Sequence, residues 1–142
     1  MTGGENYLWF ERNGRYPAKN ELDNLPLGSG EALCLSFLNL AEDCTRGLQV
    51  PDWHRIRTSV KYFLVAWLED VPAGVYAIIE ERLVAETCYM MFSWDGNILV
   101  ILSAGHAPRS KAAISDAVST AIERFKECYA LPNGGAGIKR IR

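Results

Sequence analysis

The residue types best suited to chemistry gather in one stretch, Gly105-His106-Ala107-Pro108-Arg109-Ser110-Lys111. An imidazole changes charge near neutral pH, so His106 is a candidate general base or proton shuttle. Gly105 permits close backbone approach and Ser110 suits the cap of a following helix. The free N–H groups of a helix start attract anions, and Arg109 and Lys111 add positive charge. Gly105, His106, Arg109, Ser110 and Lys111 thus form a candidate site for a phosphate or carboxylate. Their spacing fits neither the Gly-x-Gly-x-x-Gly pattern nor the Gly-Lys-Ser/Thr phosphate loop, so no nucleotide fingerprint is present. His106 also lacks an acidic neighbour in sequence. Asp95, Asp116 or Glu86 would have to reach it through space.

A second candidate is apolar. Met90, Phe92 and Trp94, with Tyr89 and Met91 between them, supply adaptable and aromatic side chains of the kind that line ligand pockets and subunit interfaces. Core packing is the competing account. No metal site is expected, because His54 and His106 are the only histidines and Cys34, Cys44, Cys88 and Cys128 are too widely spaced for a CxxC motif. The cysteines read as buried thiols, and only Cys44, close to Arg46, has a basic neighbour that would lower its pKa. The carboxylates of Glu42-Asp43, and of Glu80-Glu81 with Glu86, read as solvated helix faces. No catalytic signature or cofactor motif appears.

The elements that hold these residues follow from periodicity. Asp95-Gly96 between two β-prone runs is a strong hairpin signal, so 86–103 is read as a hairpin whose Cys88, Met90, Phe92 and Trp94 share one side. Ile114, Ala117, Val118, Ala121, Ile122, Phe125 and Tyr129 mark a helix over about 109–130. Leu33, Phe37, Leu40 and Cys44 mark another over about 30–46. A third is expected over about 51–68 from Trp53, Ile56, Val60, Phe63, Leu64 and Trp67, and residues from Val75 to Leu83 fit a helix better than a strand. Near the start, Tyr7-Leu8-Trp9-Phe10 with Asn13-Gly14 suggests a short hairpin or edge strand, and 17–30 an irregular connection.

These elements predict an α+β fold in two layers, a small, mostly antiparallel sheet packed against three or four helices. Residues 1–132 are expected to form one domain and 133–142 a flexible basic tail. Residues 98–102 are apolar at every position, so the sheet should be covered on both faces, by this chain or by a second copy; this is the argument for a homodimer.

Composition narrows the function classes. The chain has 142 residues, 49% of them hydrophobic, and a formal net charge of −2, which suits a globular protein. Residues 1–108 hold 14 acidic and 8 basic side chains, and 109–142 hold 3 acidic and 7 basic, so the C-terminal part is a mild positive pole. A pI near 5.7 argues against nucleic-acid binding through Arg55, Arg57, Lys61 and Lys139-Arg140. No long apolar segment or signal peptide is seen, so a cytoplasmic protein without membrane contact is expected. The expected function is that of a self-associating binding protein rather than an enzyme. Its partner would be a small anionic or apolar ligand, or another protein. The alternative is a small enzyme or anion sensor built on 105–111.

Overall fold

A computed structural model describes residues 7–26, 28–45, 47, 61–81, 86–108, 110–131 and 134–141. Its elements in chain order are β1 (Tyr7–Trp9), α1 (Pro17–Asp23), α2 (Ser29–Thr45), β2 (Lys61–Leu68), β3 (Ala73–Glu81), β4 (Glu86–Trp94), β5 (Leu99–Pro108), α3 (Lys111–Tyr129) and β6 (Ile138–Arg140). The strands form one six-stranded sheet in the order β1-β5-β4-β3-β2-β6. Strands β2 to β5 are an antiparallel meander, β6 extends it antiparallel to β2, and β1 pairs parallel to β5.

This corrects the expected architecture. The sheet is mixed and six-stranded rather than small and mostly antiparallel, and among the described residues three helices lie on its two faces, making three layers rather than two. One core joins α1 and α2 to Tyr76, Ile78, Cys88, Met90, Phe92, Trp94, Leu99 and Ile101. The other joins α3 to Val65, Val75, Ala77, Met91, Val100 and Leu102. The alternation read for 88–94 is therefore present, and the two-sided apolar character of 98–102 is met by the chain's own helices.

Residues 61–68 and 73–81 are strands where helices were expected. A strand buried on both faces is apolar at nearly every position, so it loses the period-two signal and any helical stripe can be traced through it. Val75 and Ala77 enter one core while Tyr76 and Ile78 enter the other. The rest of the expected helix, 51–60, lies outside the described residues.

Local chemistry accounts for the remaining elements. Pro17 begins α1 at a position where proline's missing N–H costs nothing, so this stretch is helical and not irregular. Asn13 and Gly14 both have positive φ, 52° and 75°, and close a tight turn between bridged Arg12 and Arg15. The β4–β5 turn is looser than a two-residue one. Trp94 pairs with Leu99, and the Asp95 carboxylate accepts from the N–H groups of Asn97 and Ile98, both at 2.8 Å. On α2, Leu33, Phe37, Leu40 and Ala41 are buried. On α3 the buried stripe is Ala117, Val118, Ala121, Ile122 and Phe125, and Ala130 ends the helix in the left-handed region. The segment read as a basic tail contributes β6. Lys139 pairs with Glu69 at 2.6 Å and Arg140 donates to Ser115, so these two charges are turned onto the body of the protein.

Candidate functional site

Of the residues expected to form an anion site, Gly105 and His106 fall on β5, and Ser110 and Lys111 at the start of α3. Gly105 and His106 lie within β5, opposite Tyr89 and Cys88 of β4, and not in a loop. A Cβ at Gly105 would fall 2.6 Å from the Tyr89 hydroxyl, so the close approach that glycine permits here is already taken by the Tyr89 ring. His106 is exposed. Ser110 is the N-cap of α3, its hydroxyl accepting from the Ala113 N–H at 3.2 Å. Arg109 lies outside the described residues, as does the side chain of Lys111.

Met90, Phe92 and Trp94 are buried in the core beneath α2. The Phe92 ring stacks on Tyr76 with centroids 5.5 Å apart and meets Phe37 edge-on at 5.5 Å, and Phe37 meets Tyr7 at 5.4 Å. These rings fill one another's space.

The cysteine and carboxylate readings also change. Burial, then the charge of Asp43, pushes the Cys44 thiol up to about 11, opposite to the lowering expected from Arg46. Glu80 sits on β3, where its carboxylate accepts from Ser29 Oγ at 3.0 Å. All four cysteines are free, and among the described residues no three His, Cys, Asp or Glu side chains converge as metal ligands. No helix among them is long and apolar enough to cross a membrane.

Two features were not anticipated. The first is a polar centre at the edge of β5. Strand β1 ends at Trp9, and the Phe10 N–H still reaches the Ile101 carbonyl. Beyond that point side chains replace the missing strand. Arg124 of α3 donates to the Leu102 carbonyl at 2.8 Å and forks onto both oxygens of Glu21 at 2.7 and 2.8 Å, while Glu21 accepts the Ala104 N–H at 3.2 Å. The pair ties α1 to α3 across an edge that would otherwise present bare backbone groups. Burial and the Glu21 charge raise the nearby Tyr89 phenol, which stays protonated.

The second is the outer face of α1 and α2. Leu35 and Leu38, one turn apart on α2, are 63% and 47% exposed. Beside them, between the end of α1 and the first turns of α2, opens a recess of about 330 Å³ lined by Leu22, Leu25, Pro26 and Cys34, with Asp23 and Glu31 on it. Burial, then Asp23, raises the Cys34 thiol, so it lines the recess as a small neutral group. The available signal was that Leu35 and Leu38 fall off the Leu33-Phe37-Leu40 stripe of the same helix. Comparison of the chain with protein-family models, with curated proteins and with solved structures found no match.

Proposed function

We propose that this chain is a binding module that acts by contact with another macromolecule across the outer face of α1 and α2. The observation that carries this reading is the exposure of Leu35 and Leu38 beside an open apolar recess. A lone exposed leucine is ordinary, whereas two in register along a helix next to a concavity form a patch that water solvates poorly. Burying both would contribute a few kcal/mol at roughly 25 cal/mol per Å² of apolar surface removed from water. The 17 residues of α2 span about 25 Å at 1.5 Å per residue, enough to seat one partner helix.

The alternatives have less support. Gly105 and Ser110 already have partners inside the fold, and Met90, Phe92 and Trp94 pack among core rings. Self-association through an uncovered sheet face loses its motive, since α1, α2 and α3 cover both faces.

The test is selection from a displayed peptide library, on the wild type and on a Leu35→Lys/Leu38→Lys variant whose folding is checked by circular dichroism. Peptides held by the wild type and lost by the variant are expected. If none are selected, or if those selected bind both proteins alike, the reading fails.

A further inference from the structure

We infer that Arg124, reaching around the sheet edge from α3, is a positioning residue for the recess between α1 and α2. This rests on the binding-module reading for its purpose, and adds that the recess is held in shape from the far face of the sheet. The starting point is how little α1 has of its own. It is seven residues long, its first turn carries no acidic residue, and among the described residues no side chain caps its N-terminus. Isolated helices shorter than about 12 residues are at best marginal in water, so α1 depends on what it touches. Ala18 and Leu22 pack it onto its own core. Glu21 supplies the polar tie, accepting two bonds from Arg124 and one from the Ala104 N–H.

The recess is built on the same few residues. Leu22 directly follows Glu21, and it lines the recess with Leu25 on one side, while Gly30 and Cys34 of α2 line the other. The two sides come close at one point, where a Cβ on Gly30 would lie 3.2 Å from the Leu22 carbonyl oxygen. A small shift of α1 therefore changes the opening between them. Arg124 does not shift with α1. Its guanidinium is fixed to the sheet by the bond to the Leu102 carbonyl, and its helix is packed into the other core through Val118, Ala121 and Phe125. A two-pronged Arg–carboxylate pair sets orientation as well as distance, so it holds α1 at one angle to a fixed point. The competing account is that Ala18 and Leu22 alone place α1, and that the ion pair stabilises only the fold as a whole.

Cys34 distinguishes the two without any partner. It lines the recess, and burial raises its thiol, so uncovering it increases both access and thiolate fraction. The test measures alkylation by iodoacetamide in a protein whose one thiol is Cys34 (Cys44→Ser, Cys88→Ala, Cys128→Ser), with and without Glu21→Gln/Arg124→Met, which removes the pair and leaves no buried charge. A protein keeping only Cys88, which is fully buried, gauges global opening in the same two backgrounds. Cys34 is expected to react about threefold or more faster without the pair, while the Cys88 rate stays the same. Equal Cys34 rates overturn the inference. So does a rise of both thiols by one factor, which assigns the pair to global stability alone. Library peptides that depend on Leu35 and Leu38 should also bind Glu21→Gln/Arg124→Met about threefold or more weakly, although neither leucine has changed. Undiminished binding with Cys34 uncovered puts the recess outside the binding site and overturns the coupling. If no peptide is selected at all, the binding-module reading falls, and the Cys34 rates still decide whether Arg124 positions α1.

Discussion

Two places in this molecule run against the usual sorting of residues, and they do so in opposite senses. At the edge of β5, Arg124 is buried at 7% exposure and paired with Glu21, whereas on α2 the leucines at 35 and 38 face outward. The buried charge is answered mostly inside the fold. It forks onto one carboxylate and a backbone carbonyl, and its Nε, which has no hydrogen-bond partner, belongs to a guanidinium lying 5.7 Å from the Phe10 ring centroid. The exposed leucines have no such account. Neither contributes to either core, and each exposes apolar surface that folding did not bury. Residues that the fold does not use are the better guide to what the protein touches.

The contrast is sharpened first by substitutions with large expected costs. Leu40 sits on the inner face of α2 and is fully buried, so Leu40→Ala should destabilise by about 3 to 4 kcal/mol, through lost burial and the cavity left behind. Arg124→Ala should cost about 3 kcal/mol, because it leaves the Leu102 carbonyl and the Glu21 carboxylate without their partner. The value belongs at the low end of the range for broken buried pairs, since the Glu21 side chain is 33% exposed. Chemical denaturation measures both. If Arg124→Ala were as stable as the wild type, the pair would be decorative and the comparison would collapse. Arg124→Met, which keeps the volume and removes the charge, should still be destabilised unless Glu21→Gln accompanies it.

Legibility in the sequence followed the same division. The buried stripes of α2 and α3 were readable because each packs on one side only, which preserves a 3.6-residue period. Met90, Phe92 and Trp94 were placed on one face correctly because a period of two survives there. Strands β2 and β3 were not readable, because burial on both faces erases the period on which such reading depends. The parallel pairing of β1 with β5 and the contact between Glu21 and Arg124, 103 positions apart, depend on chain reversals that no local pattern encodes. Among the candidate residues, Ser110 was legible as a cap because capping is local chemistry. His106 and Gly105 were misplaced into a loop because β5 runs on to Pro108. Leu35 and Leu38 passed unremarked, since an apolar residue in a helix is taken for core until the fold shows which side faces out.

Smaller effects test the strand end where an anion site was expected. Gly105→Ala should destabilise by about 1 to 2 kcal/mol, because the added methyl overlaps the Tyr89 ring and hydroxyl. Removing the hydroxyl with Tyr89→Phe should recover part of that loss in a double-mutant cycle. Full additivity would mean that the two groups do not meet. Ser110→Ala should cost about 1 kcal/mol, the ordinary value of an N-cap, in thermal or urea unfolding.

The smallest expected effect on stability bears most on function. Leu35→Gln with Leu38→Gln changes the same helix as Leu40→Ala, at positions two residues before the buried Phe37 and Leu40. The expected change in stability is within about 0.5 kcal/mol of zero, since these exposed side chains belong to neither core and glutamine is nearly as good a helix former as leucine. A loss of 2 kcal/mol or more would show that the leucines are structural, closing against part of this chain, and the outer face would then have no claim as an interface. Unchanged stability together with lost peptide binding gives the opposite result. One helix would then divide its leucines between two duties, Leu33 and Leu40 holding the fold and Leu35 and Leu38 holding a partner.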